Sequence, residues 1–460
     1  MAQLYGGTLT IPTKLSPAIR EVVLKALYHA ETREVPPRVA LNGFFRRYAY
    51  SDRDKAFATE MVYGTIRWRR RLDWMVSQLM RGNPDSLTPW IRHILRMGLY
   101  QLMMMSQVPD AAATHEAVKL ARRYGHQGTV RLTNAIMRTA IRKRDQLDCP
   151  NYTGDPIKQL GITHSYPAWL TKRWVERYGI EGTANLMEAG NQTPPLTIRV
   201  NIDRITPRKL IETLKKNEIH VESSRWLEDF LSIRHTGDLN QLSCHQEGLF
   251  QVQDESAGLA VRLLDPKQDE TIIDLCCAPG GKTTYIAQFV SAGGQVVACD
   301  TSLHRLRQVE ENRQRMGLAQ VHLVVMDGKS PALAFEADRV MIDAPCSGLG
   351  TIARRPDLRW RRRMEDIGRL HDVQLALLKR GAGLVKKGGI LVYSTCTIEP
   401  EENEDVVAAF CSKHPGFHIE KPDDWPVEMN EVMNDEGQIL TLPSVHGIDG
   451  SFAVRLRRES

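Results

Sequence analysis

Thr271-Ile-Ile-Asp-Leu-Cys-Cys-Ala-Pro-Gly-Gly-Lys-Thr283 is the stretch on which the fold of this chain turns. It opens with an apolar run, Thr271 to Leu275, that suits a strand buried on both faces. A Gly-rich turn follows and leads into a helix, and its paired glycines let a ligand approach the backbone closely. Downstream, further β-rich runs alternate with helical segments: Gln295 to Cys299, Val321 to Val325, Arg339 to Ile342 and Ile390 to Ser394. Such alternation implies a parallel sheet covered by helices on both faces, a doubly wound α/β domain over 263–460 that the strand Phe452 to Leu456 closes. Two nucleotide-binding loops are excluded at the glycines. A P-loop needs Gly where Cys276 stands, ahead of Gly281-Lys282-Thr283, and the G-x-G-x-x-G of a dinucleotide site is absent.

Ligands of such sheets sit at the carboxyl ends of the strands. The second strand ends at Asp300, a carboxylate able to accept both hydroxyls of a ribose, and the third ends at Asp327, able to meet an adenine amino group. A lone acid after a strand is usually a helix cap. Three on consecutive strands, with Asp274 on the first, point instead to an adenosine-containing ligand. The fourth strand runs into Asp343-Ala-Pro-Cys346-Ser-Gly348 and the fifth into Ser394-Thr-Cys396-Thr397. A single cysteine is more often a small buried hydrophobe. Two at neighbouring strand ends, one three residues after an aspartate, suit a thiolate nucleophile that attacks an electron-poor ring carbon.

Working outward, residues 166–262 read as a small α+β unit, with a helix at Trp169 to Tyr178, strands at Leu196 to Asn201 and Leu249 to Gln253, and a helix at Pro207 to Lys216. Residues 146–165, with Pro150, Gly154, Pro156 and Gly161, read as a linker. Residues 1–145 are helical throughout, in segments such as Ala18 to His29, Lys55 to Tyr63, Leu72 to Met80, Ile91 to Met105, Val118 to Tyr124 and Val130 to Ile141.

Charge follows the same division. Residues 1–145 hold 24 Lys and Arg against 11 Asp and Glu, whereas the rest hold 37 against 44, so the amino-terminal part is the one suited to a polyanion. None of the eight cysteines forms a C-x-x-C pair, so no metal is expected. His115-Glu116 lacks the second histidine of a zinc protease, since position 119 is Lys. No apolar run reaches a bilayer span and no secretory signal stands at the start, which predicts a cytoplasmic protein with reduced thiols, off the membrane, with nothing to demand an obligate oligomer.

Asp274-Leu-Cys-Cys-Ala-Pro-Gly-Gly-Lys-Thr283, Asp343-Ala-Pro-Cys-Ser-Gly-Leu-Gly-Thr351 and Ser394-Thr-Cys-Thr-Ile-Glu-Pro-Glu-Glu-Asn403 resemble the signatures of RNA 5-methylcytosine methyltransferases of the Sun/NOL/NOP family. Tyr63-Gly-Thr-Ile-Arg67 and Leu72-Asp-Trp-Met75 resemble the NusB-like RNA-binding domain typical of its RsmB (Sun/Fmu) branch, which modifies 16S ribosomal RNA. Asn191-Gln-Thr-Pro-Pro195 and Val252-Gln-Asp-Glu-Ser256 are also similar, so the likeness spans nearly the whole chain. Only the first fifteen or so residues, expected to be disordered, and 413–448, which receive no role, fall outside it.

The resemblance implies three domains: an all-α NusB-like one over 1–145, a linker and small α+β RNA-binding unit over 146–262, and a Rossmann-like class I methyltransferase domain over 263–460. It also implies S-adenosyl-L-methionine as cofactor, small-subunit ribosomal RNA as partner, and no metal. Carried over by motif, Cys396 attacks carbon 6 of a cytosine, Asp343 meets ring nitrogen 3, and Cys346 assists loss of the carbon 5 proton. Cofactor contacts fall to Cys276, Cys277, Ala278, Pro279, Gly280, Gly281, Lys282, Asp300, Asp327 and Asp343. Cys277 stands where the family often has alanine, a tolerable exchange of small residues. The run Arg354-Arg-Pro-Asp-Leu-Arg-Trp-Arg-Arg-Arg363 adjoins the Cys346 motif, and its Arg354, Arg355, Trp360 and Arg361 are expected at RNA phosphates and bases.

Overall fold

The computed structural model describes residues 16–459, apart from 149, 153, 235, 236, 238, 291, 292, 423, 424 and 426. The first fifteen residues, expected to be disordered, lie outside the described ones. The chain divides into two compact units, Met1–Ser165 and Tyr166–Ser460.

The first unit is helical. Its principal helices are Ile19–Thr32, Pro37–Arg47, Asp52–Arg67, Arg69–Leu79, Pro89–Met104, Asp110–Tyr124 and Gln127–Arg142. Their starts carry the expected chemistry: Ser51 accepts from the amide of Asp54, and Thr88 accepts from Ile91 with Pro89 in the first turn. Helix Pro89–Met104 is the hub, with Ile91, Ile94, Leu95, Leu99 and Tyr100 buried. Helix Pro37–Arg47 was not anticipated, because only Pro37, Ala40 and Leu41 are buried along it, too few to register as a periodic face. The linker reading of 146–165 is also corrected. Asp155 caps a helix, Pro156–Thr163, whose Leu160, Gly161 and Ile162 are buried, so proline here starts structure rather than breaking it.

The second unit holds two sheets. Its leading helical segment, Ala168–Ala189, is interrupted at Gly179 (φ 69°), which is why the helical pattern read from the sequence stops at Tyr178. The first sheet consists of β1 (Leu196–Val200), β2 (His220–Ser223), β3 (Phe230–Arg234) and β4 (Phe250–Val252), all antiparallel in the order β2-β3-β1-β4. Helix Pro207–Lys216 packs Leu210 and Leu214 against Ile198, Val200, Leu231 and Ile233.

The second sheet contains β5 (Thr271–Asp274), β6 (Gln295–Asp300), β7 (Val321–Val325), β8 (Ala337–Asp343), β9 (Val385–Thr395), β10 (Phe417–Ile419), β11 (Gln438–Thr441) and β12 (Ser451–Arg458). The strand order is β10-β12-β9-β8-β5-β6-β7, with β11 also on β12; β5 to β9 are parallel and β12 runs antiparallel. The central strands are apolar and buried, as continuous runs require. β9 begins five residues before the expected Ile390. A register shift at Ala337/Arg339 accommodates Lys386 to Gly389, a polar stretch that conceals the strand start in the sequence. Residues 413–448, left without a role, supply β10 and β11, which cover the outer edge of β12.

Candidate active site

The strand order reverses at β5, which has β6 on one side and β8 on the other. The crevice beyond the carboxyl ends of β5 and β8 is therefore the place for a ligand. Leu275 to Gly280 form its floor, tied down where the Cys277 amide donates to the Cys299 carbonyl at 2.9 Å. Gly280 has φ +98°, and a Cβ there would lie 2.9 Å from Val309, so no other residue fits the turn unstrained. Asp274 is fully buried and accepts from Thr283 Oγ1 at 2.7 Å. Burial, with the charge of Asp343 nearby, lifts its carboxyl to about 7. Burial likewise pushes the Cys276 and Cys277 thiols up.

At the end of β6, Asp300 accepts from the Ala278 and Ser302 amides and pairs with Arg305 at 3.4 Å. Asp327, beyond β7, is exposed and accepts from the Lys329 amide at 2.9 Å. Three carboxylates beside a glycine turn suit the hydroxyls and amines of an adenosine group. The carbonyl side of the turn is braced from the other sheet: Arg199, wholly enclosed on β1, donates to Gly281 O at 2.7 Å and Thr284 Oγ1 at 3.0 Å, and stacks on Tyr285. Nothing along the chain signals this role, since a lone arginine in a short strand reads as an exposed edge.

β8 and β9 are parallel neighbours with Asp343 beside Ser394, so the segments following them emerge side by side. That pairing sets Cys346 Sγ 3.2 Å from Cys396 Sγ, and the Cys396 amide donates to Cys346 Sγ at 3.3 Å. The two thiols are driven apart in acidity. Cys396 lies below the ordinary thiol range, held there first by the hydrogen bond from Cys346 and then by the Lys282 and Arg355 charges, against burial and Asp343. Cys346 lies well above it, for the reciprocal hydrogen bond, burial, and the charges of Cys396 and Glu402.

Lys282 and Asp343, both expected among the cofactor contacts, pair with each other, Nζ 2.7 Å from Oδ2. Asp343 and Cys396 outweigh burial and hold that ammonium charged. Ser394 Oγ completes the group, 3.1 Å from Asp343 Oδ1. Cys346, Cys396, Asp343 and Lys282 thus form one cluster drawn from three strand ends.

The arginine run divides in two. Arg354 spends its charge within the unit, on Asp254 at 2.7 Å and Asp449 at 3.0 Å, although it was expected at RNA. Arg359 is fully buried over the Tyr166 ring, and Arg362 donates to the carbonyls of Ser347 and Cys346. Arg355, Arg361 and Arg363 face solvent; Arg361 also pairs with Asp357 at 3.3 Å, and Trp360 is half-buried. Within the short helical turn Leu358–Arg361, Arg359 falls on the buried side and Arg361 on the exposed one. Among the described residues no group of three or more His, Cys, Asp or Glu could hold a metal ion, and no helix is long and apolar enough to cross a membrane.

Residues 261–457 match the family model described as 16S rRNA methyltransferase RsmB/F, residues 17–142 the NusB family, and residues 166–240 the ferredoxin-like domain of RsmF/B-like methyltransferases. The chain is 34% identical over 449 residues to a probable ribosomal RNA small subunit methyltransferase B of Bacillus subtilis, covering 96% of this chain and 99% of that one. A probable methyltransferase B of Synechocystis is also 34% identical, over 95% and 99% of the two chains. Among solved structures, PH0851 superposes with a TM-score of 0.79 at 27% identity, over 97% of this chain and all of that one. NSun6 from Pyrococcus horikoshii with SFG gives 0.58 at 26% identity, over 65% of this chain and 99% of that one. The helical first unit is thus NusB-like, the small sheet ferredoxin-like, and the large sheet a methyltransferase domain.

Proposed function

The chain belongs to the 16S rRNA methyltransferase RsmB/F family, and from that premise we propose that it methylates carbon 5 of a cytosine in small-subunit ribosomal RNA through a covalent cysteine adduct. The 3.2 Å cysteine pair with opposed acidities carries this reading, because a single-step transfer to a nitrogen or oxygen has no use for two such sulfurs.

S-adenosylmethionine, the methyl donor of the family, supplies an electrophilic methyl group on a sulfonium. The turn Cys276 to Gly281, with Asp300 and Asp327, would hold it, the carboxylates taking its ribose and adenine. The chain's own residues then do the following. The target base must leave its stack to enter the crevice. Cys396 Sγ bonds to carbon 6 while the C5–C6 π pair moves toward the ring nitrogens and oxygen. The Lys282–Asp343 pair faces nitrogen 3 and offsets the electron density arriving there. Carbon 5 is now nucleophilic and takes the methyl group. With its sulfur bonded to carbon, Cys396 no longer carries the negative charge that keeps Cys346 protonated. Cys346 loses its proton to solvent and its thiolate accepts the carbon 5 proton. That C–H pair re-forms the C5–C6 double bond, the C6–S bond breaks, and Cys396 leaves as thiolate.

Exposed Arg355, Arg361 and Arg363 line the run beside this site and suit RNA phosphates. In the basic first unit, helix Gln127–Arg142 contains no acid and carries Arg131, Arg138 and Arg142 exposed on one face, a second footprint for the same polyanion. The activity belongs to the cytoplasm, where its substrate is made.

The test is methyl transfer from labelled S-adenosylmethionine to unmodified small-subunit ribosomal RNA. Wild type is expected to yield labelled 5-methylcytosine, and Cys396→Ala none. Cys346→Ala should stall as an RNA–protein adduct that survives denaturation. Transfer to transfer RNA alone would keep the chemistry and overturn the substrate; label on a base nitrogen would overturn the chemistry.

A further inference from the structure

The two cysteine segments are joined by more than their sulfurs. Ser347, next to Cys346, and Glu402, on the 3₁₀ turn Pro400–Glu402 after Cys396, are both fully buried. Glu402 Oε1 accepts from the Ser347 amide at 2.7 Å, and Oε2 accepts from Ser347 Oγ at 2.5 Å, so one carboxylate grips both donors of one residue. Oε1 also accepts from Gln374 Nε2 at 3.0 Å, and the same amide nitrogen reaches Pro345 O at 3.0 Å. Ser347 Oγ is 2.8 Å from Thr397 Oγ1, one residue past Cys396. Tyr393, on β9, donates to the carbonyl of Glu402 at 2.6 Å.

These partners of the carboxylate are neutral donors. A buried carboxylate held without a cation costs stability, and burial accordingly pushes the Glu402 carboxyl above its ordinary range. A neutral amide would fill the space more cheaply, so packing does not explain the choice. What the carboxylate uniquely supplies is a rigid pair of acceptors for a serine bonded to Cys346, mounted on the loop that carries Cys396.

We propose that Glu402 is a positioning residue that fixes Cys346 in register with Cys396, and so governs adduct release rather than attack. The inference rests on the covalent reading above. Cys396 keeps its place through β9 and its own backbone, whereas the Pro345–Ser347 segment is held by side chains: Arg362 on its carbonyls, Gln374 on Pro345, and Glu402 on the amide and hydroxyl of Ser347. A displacement of about 1 Å at a reacting group costs on the order of a hundredfold in rate.

The experiment compares full-length wild type, Cys346→Ala, Glu402→Ala and Glu402→Gln on small-subunit ribosomal RNA, reading first-turnover methylation and the denaturation-resistant adduct in parallel. Glu402→Ala is expected to methylate in the first turnover within about tenfold of wild type, yet to release RNA roughly a hundredfold more slowly and accumulate adduct. Glu402→Gln, which keeps one acceptor and the shape, should recover most of the release rate. If Glu402→Ala does not fold, Ser347→Ala takes its place, losing the hydroxyl contact while keeping the amide, with slowed release again expected. Equal loss of first turnover and release, or no adduct in either variant while Cys346→Ala accumulates it, overturns the positioning role alone. Absence of adduct in Cys346→Ala itself overturns the covalent reading, and this inference with it.

Discussion

Lys282 changes the meaning of its motif. Read along the chain, Gly280-Gly281-Lys282 is the end of a ligand turn; folded, its ammonium is the cation beside Asp343 and one of the charges that favour the thiolate form of Cys396. Removing it must raise the thiol's pKa, because the charged form loses an attractive neighbour. Methyl transfer that needs the thiolate rises as pH rises through that pKa. Lys282→Met is therefore expected to move the rising limb of the single-turnover pH–rate profile toward alkali. An unmoved limb with a uniformly lower rate would mean that Lys282 acts on the base through Asp343 alone. The motif cysteines and Asp343 were legible in the sequence, since each follows an apolar strand. Glu402, Gln374 and Arg199 were not, because their roles exist only where three segments meet.

At the scale of elements, small residues report close approaches. Gly64 sits in helix Asp52–Arg67 with the Tyr100 ring against it; a Cβ there would lie 2.0 Å from the ring. Tyr100 is 3% exposed and donates to Glu60, so it has nowhere to retreat. Alanine gains about 1 kcal/mol of helix propensity over glycine. Overpacking at such a contact costs about 1–3 kcal/mol, with the tighter contacts at the upper end. Gly64→Ala is thus expected to lower the thermal midpoint of the first unit's unfolding, followed by helical circular dichroism; an unchanged or raised midpoint would show that Tyr100 moves freely. The same close approach explains the Tyr63-Gly-Thr-Ile-Arg67 motif physically. Elements with caps or long apolar runs were read correctly to within a few residues. Those hidden by polar stretches, helix Pro37–Arg47 and strands β10 and β11, were not.

For the whole molecule, charge is the property that scales. The surplus of the first 145 residues predicts salt-sensitive RNA binding, since each phosphate contact releases counterions. Replacing Arg131, Arg138 and Arg142 together by glutamine should flatten the slope of log affinity against log salt by about 2–3, from roughly 0.7–0.9 per lost contact. Methylation of saturating RNA should change little, because these residues are not in the cysteine cluster. Binding measured by filter retention between low and physiological salt reads this directly. An unaltered slope would place the footprint on another face.

The sequence by itself determined the α/β architecture, the helical first unit and the nucleophile candidates. Strand hydrophobicity, helical periodicity and the residues ending each strand are local properties that need no folded partner. Tertiary structure decided the rest. It brought Lys282, on the helix after the glycine turn, to Asp343 on β8, and it turned Arg354, Arg359 and Arg362 inward while leaving Arg355, Arg361 and Arg363 outside. It also set two sulfurs 50 residues apart in sequence within 3.2 Å of each other, so that each shifts the other's acidity. Acidity and charge pairing depend on distances across the fold, and spacing along the chain does not contain those distances.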